Sequence, residues 1–164
     1  MKMVISWTLI ILLAYTAQTS LFSFIDFHGV SVNLMLLFVV SVAYIHGWKS
    51  GIAIGFATGI LQDCATGSFF GCATFTYMTI GLLFGKFATR VFKEQFFFPV
   101  MSAPVAAVIY FAFMTTFIYL LGYKIDFLLS TKNILLPLIC YQLVFAWFVH
   151  KIVFDFDKFA KRHG

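Results

Sequence analysis

Charge is what this sequence has least of: only 10% of its 164 residues are Asp, Glu, Lys or Arg, and six of them are acidic. With 62% hydrophobic residues and a mean hydropathy of +1.00, no polar outer shell can be assembled, which excludes a soluble domain and leaves an integral membrane protein. Its three cysteines, Cys64, Cys72 and Cys140, form no CxxC pair and have no His at zinc spacing, so they read as small apolar residues. His28, His46, His150 and His163 fall near span ends on both sides of the membrane and cannot converge. No metal site is expected. Also missing are Gly-x-Ser-x-Gly, paired catalytic carboxylates, His-Glu-x-x-His and a phosphate loop, while the polar residues inside spans, Gln18, Asn33, Tyr77 and Gln142, look scattered. An enzyme is not expected, nor any cofactor.

What is present is a series of apolar runs. About 20 apolar residues, at roughly 1.5 Å each, cross a hydrocarbon layer of about 30 Å. Six spans follow, approximately 4–24, 32–45, 51–62, 70–87, 97–121 and 134–154, the second and third short. Residues 1–164 read as one all-α transmembrane domain, a six-helix bundle whose short connections make sequential spans antiparallel neighbours. The first run is too long for a signal-peptide core and lacks a small-x-small cleavage site, so it is kept as a helix. Pro99 and Pro104 fall near the start of the fifth span, and Pro137 predicts a bend early in the sixth, with Gln142 facing inward.

The basic residues orient the bundle. With the N-terminus inside, Lys2, Lys49, Lys86, Arg90, Lys93, Lys151, Lys158, Lys161 and Arg162 are cytoplasmic, and only Lys124 and Lys132 lie outside. Both termini are expected in the cytoplasm. Trp7, Trp48 and the run Phe96 to Phe98 suit the interface beside these lysines. The formal charge of +5 then reports topology and attraction to anionic lipid. It does not suggest nucleic acid, because no basic patch with interleaved aromatics stands on a soluble surface. Residues 155–164 read as a short basic cytoplasmic tail that anchors to the bilayer surface.

Glycine is concentrated in one pattern. Gly47, Gly51, Gly55 and Gly59 recur every fourth residue, followed by Gly67 and Gly71, with Gly81 and Gly85 in the next span. Helices in lipid associate by close packing of small residues, so Gly51, Gly55, Gly59, Gly67, Gly71, Gly81 and Gly85 are candidate positions of helix packing or of a partner interface. Spacing alone does not choose between the two. Asp63 stands inside this pattern, about 21 Å of helix beyond Lys49. It reads as a cap on the turn between the third and fourth helices, taking donors from Thr66, Gly67 or Ser68. The competing reading is an ion or substrate site, for which a lone carboxylate without an ionisable partner is thin support. In the capping reading Asp63→Asn should be mild and Asp63→Leu severe.

Residues 32 to 86, with Gly55, Gly59, Asp63, Gly67 and Gly71 in the spacing G-x-x-x-G-x-x-x-D-x-x-x-G-x-x-x-G and Asn33 as an earlier polar position, resemble the rod shape-determining MreD family. Val32 stands where that family has proline. The resemblance implies a non-catalytic subunit of the bacterial cell-elongation machinery in the cytoplasmic membrane. Such a subunit binds MreC and works with MreB, RodA and a class B penicillin-binding transpeptidase in lateral peptidoglycan synthesis and rod shape. It also implies a fold similar to the substrate-binding S components of energy-coupling-factor vitamin transporters, which supplies the alternative of a small-molecule transporter subunit. Against that alternative, the first helix lacks an Ala-x-x-x-Ala ridge, since Ala14 is followed by Gln18, and the outer loops 26–31 and 122–132 offer few groups to a polar vitamin.

Overall fold

The computed structural model describes residues 2–20, 33–67, 71–88, 97–122 and 134–163. His28, Val32, Ser68, Arg90, Lys93, Phe96, Lys124 and Lys132, and all but Gly122 of the two outer loops, lie outside the described residues, as do the side chains of Lys2 and Trp7. Among the described residues the chain is helical apart from a few turn and cap positions and contains no strand. Its helices are α1 (Lys2–Ser20), α2 (Leu34–His46), α3 (Trp48–Thr66), α4 (Cys72–Ala88), α5 (Phe97–Leu120) and α6 (Leu136–His163).

The shortest helix is the centre. Every residue of α2 from Leu34 to Ala43 is buried, as expected of a helix that is apolar all round. The other five helices all pack on it, and α3 with α4 and α5 with α6 form the most extensive pairs. The outside is equally apolar: Leu13 on α1, Phe87 on α4, Val105 on α5 and Val144, Phe148 and Ile152 on α6 are exposed, whereas Gln142, Thr58 and Thr76 are wholly buried. Polar groups inside and large apolar groups outside invert the arrangement of a soluble core and match a lipid solvent. Among the described residues two helical stretches, Val100–Leu120 and Leu136–Lys158, are long and apolar enough to cross a membrane.

Several boundaries differ from the sequence expectation for physical reasons. The third helix is not the short 51–62 but a full 19 residues. A single residue, Gly47, separates it from α2, and Asp63 is held inside the helix instead of ending it. The last helix does not end near 154: α6 continues through the basic segment to His163 as a 28-residue helix. Within it Val153 and Asp157 are buried one turn apart, and Asp157 Oδ1 lies 2.9 Å from His46 Nε2 at the end of α2. Pro137 is the second residue of α6 and follows directly on a π-helical turn at residues 134–135, a local irregularity at the place where the bend is expected. Pro104 lies inside α5 and cannot donate to the Val100 carbonyl.

Candidate functional site

The glycine pattern resolves into one seam. A Cβ on Gly51 would lie 2.5 Å from the Gly81 carbonyl oxygen, and one on Gly55 would lie 2.6 Å from the Tyr77 carbonyl oxygen. At Gly59 the obstacle is Thr74 Cα, and at Gly85 it is the backbone of Trp48. The register is antiparallel, with 51 beside 81, 55 beside 77 and 59 beside 74, so α3 and α4 touch backbone to backbone along five glycines. Contact this close is what small residues permit in lipid. Gly67 and Gly71 do not belong to it. Both are exposed, among the described residues a Cβ on either would meet nothing within 4 Å, and their φ values of 59° and 99° are left-handed. The expectation that they pack helices is corrected: they end α3 and begin α4, conformations that favour glycine.

Asp63 sits where the seam meets that turn. Its Oδ2 accepts from the Gly71 N–H at 3.0 Å, the Thr74 N–H at 3.0 Å and the Thr74 hydroxyl at 2.6 Å, while Oδ1 accepts from the Ala73 N–H at 3.0 Å. These are the first-turn donors of α4, which have no partner within their own helix, and a carboxylate there also meets the positive end of the helix dipole. Asp63 is thus a cap, as expected, but for the helix that follows. The Gly67 N–H, one of the anticipated donors, goes to the Asp63 main-chain oxygen instead, at 3.2 Å.

Asn33 does for α2 what Asp63 does for α4. Its Oδ1 accepts from the Leu36 N–H at 3.0 Å and from the Tyr77 hydroxyl at 2.9 Å. Its main-chain oxygen accepts from Gln142 Nε2 of α6 at 3.1 Å. From α1, Gln18 Oε1 accepts from the Met35 N–H at 3.1 Å, and its amide nitrogen donates to Gln62 Oε1 of α3 at 3.5 Å. The polar residues that look scattered in the sequence therefore converge on the N-terminus of α2 and join five helices. Each of Gln18, Gln62, Tyr77 and Gln142 lies nine to sixteen residues from the lysine near the other end of its span, a similarity of depth that was the available signal. Asn33→Ala would leave the Leu36 N–H and the Tyr77 hydroxyl dry, at about 1–3 kcal/mol for each. Tyr77→Phe removes one bond only. The unfolding midpoint of the detergent-purified protein should therefore fall further for Asn33→Ala than for Tyr77→Phe, and equal midpoints would count against a cap at Asn33.

A cavity of about 210 Å³ opens beside Asp63, between the end of α3, the start of α4 and the second half of α5. Gln62, Asp63, Thr66 and Cys72 form its polar edge, and Ala73, Tyr110, Met114, Phe117 and Ile118 its apolar wall. Pockets for drug-sized ligands usually run from about 300 to 1,000 Å³, so this one holds only a small group. No cluster of three metal-ligating side chains occurs among the described residues.

A family model described as rod shape-determining protein MreD matches residues 1–160. No curated protein and no solved structure matches the chain. The match is to a shape-determination component and not to a transporter family, which leaves the transporter-subunit alternative without support. It covers both helix caps, the whole α3–α4 seam and nearly all of α6: the chain belongs to the MreD family of rod shape-determining proteins.

Proposed function

We propose that this protein is a non-catalytic subunit of the bacterial cell-elongation complex, binding MreC and, with MreB, RodA and a class B penicillin-binding transpeptidase, supporting lateral peptidoglycan synthesis. The observation that carries this reading is the family match over residues 1–160. Its chemistry agrees: Asp63, Asn33, Gln18, Tyr77 and the amide nitrogen of Gln142 hold helices together. A scaffold needs a rigid bundle and outer faces. In this reading Asn33 and Asp63 fix helix starts, Gly51, Gly55, Gly59, Gly81 and Gly85 lock α3 to α4, and partner contact falls to faces away from the seam. The test is capture of the tagged full chain from its native membrane in detergent. MreC should be recovered with it, whereas recovery of an ATPase with a transmembrane transporter subunit would overturn the proposal.

The same reading takes residues 1–164 as one domain of six spans, arranged like a transporter S component, with both termini in the cytoplasm. Nine basic residues against two across the expected loops support it. In a cysteine-free background, a cysteine at Asp126 should be labelled by an impermeant reagent added to intact cells, and one at Glu94 should not. The opposite pattern would invert the topology.

A further inference from the structure

We propose that the outward face of α3 and α4 thins the bilayer beside it, drawing the leaflet on the Gly67 side inward, so that the lipid this face fits has compressed acyl chains. The proposal rests on the reading of the chain as a membrane-spanning bundle. Both ends of the face are marked. At one end Lys49 and Lys86 are exposed, and the Trp48 backbone lies against Gly85, which brings the two helices to one level there. At the other end Thr66, Gly67 and Gly71 are exposed, and Asp63 ties α3 to Gly71. Thr66 lies seventeen residues beyond Lys49, and Gly71 fifteen before Lys86. At roughly 1.5 Å per residue these are heights of about 26 and about 22 Å, against a hydrocarbon layer of about 30 Å.

A short span can be met by long side chains that reach for the interface or by lipid that yields. Glycines at 67 and 71 have no side chain to extend. At the opposite end the Lys49 ammonium lies 5.6 Å from the centre of the Trp48 ring, and tryptophan itself belongs at the interface. Tilt only lowers the height that α3 and α4 span. Between the two ends Phe56 and Ile60 on α3 and Phe75 and Leu83 on α4 are exposed, which keeps lipid tails against this face. By contrast α5 runs for 24 residues without a charge, about 36 Å, enough to cross a full layer even when tilted. The bilayer is therefore not thinner all round, and it steps down from α5 to the seam. The inference concerns lipid and stands whether or not MreC is the partner.

Cys64 reports the height of the leaflet, because it is exposed on α3 within one turn of Thr66. The full-length protein with Cys72→Ser and Cys140→Ser carries a nitroxide on Cys64, in nanodiscs of dimyristoleoyl or dioleoyl phosphatidylglycerol. A second variant, with Cys64→Ser added, carries it on Val108→Cys, an exposed position near the middle of α5. Collision with oxygen and with a water-soluble nickel chelate gives the depth of each label. Cys64 should lie within about 4 Å of the edge of the hydrocarbon in both lipids, and nickel should reach it about tenfold more often than Val108. A label about 7 Å deep in dioleoyl chains, the depth in an unperturbed layer, or one that sinks as the chains lengthen, would overturn the proposal. So would a dimer by light scattering with Cys64 shielded, because a second copy would then cover the face. Shielding at Val108 beside a deep Cys64 strikes only the thinning, whereas nickel reaching Val108 freely would overturn the membrane-spanning reading and the thinning with it.

Discussion

Replacing Gly55 with alanine, the addition of one methyl group, is expected to cost more folded protein than replacing its neighbour Ala57 with leucine. The Cβ at 55 has nowhere to go: it would lie 2.6 Å from the Tyr77 oxygen and 2.8 Å from its carbonyl carbon, both backbone atoms of a facing helix. A flexible side chain could move aside, but a helix backbone moves only if α3 and α4 separate along the seam. Overpacking of this kind costs about 1–3 kcal/mol, and Gly55→Ala should sit at the upper end. Ala57 faces outward, so its substitution should stay within about 0.5 kcal/mol. Folded yield by size exclusion, together with the unfolding midpoint in detergent, measures both. Equal behaviour of the two variants would mean that α3 and α4 are not in backbone contact.

Asp63→Leu should be the more damaging of two substitutions at that position, but Asp63→Asn should not be harmless. Leucine leaves the N–H groups of Gly71, Ala73 and Thr74 without their acceptor, at about 1–3 kcal/mol for each that stays dry. Asparagine can keep its single oxygen on the Gly71 and Thr74 side. Its amide nitrogen then faces the Ala73 N–H, donor against donor, and the charge facing the α4 dipole is gone. One hydrogen bond is lost instead of four, which predicts an intermediate loss of stability and of membrane level. This revises the milder expectation for asparagine, and the reason is geometric: both carboxylate oxygens are in use. Wild-type stability of the Asn variant would show that one oxygen is enough.

What could be read in the sequence was what repeats along one helix. The spacing of Gly51, Gly55 and Gly59 is a property of α3 alone, and in lipid it has few uses other than close packing. The same spacing misassigned Gly67 and Gly71, because a period of four continues through the sequence whether or not the helix does, and α3 stops at Thr66. Asp63 was legible as a cap, since a carboxylate in an apolar setting needs donors. Its donors stand eight to eleven residues ahead, across a turn, beyond the reach of reasoning about adjacent residues. The hub around Asn33 was hidden for a stronger reason: its members come from α1, α2, α3, α4 and α6, and Gln142 reaches Asn33 across 109 positions. Composition alone did indicate that α2 is apolar, but only packing makes the shortest helix the centre.

In the proposed role the glycine and aspartate motif is structural, and this member of the MreD family acts through the bundle that the motif holds together. It is tested most directly in cells depleted of the native copy and expressing Gly55→Ala, Asp63→Asn or Asp63→Leu, by measuring cell width and the membrane level of each variant in the same culture. The account predicts that width tracks level across all three, with Asp63→Asn the mildest of the Asp63 pair and Asp63→Leu giving rounded cells with little protein. Rounded cells containing the Asn variant at wild-type level would contradict it, because the charge of Asp63 would then be needed for something other than holding α4 to α3.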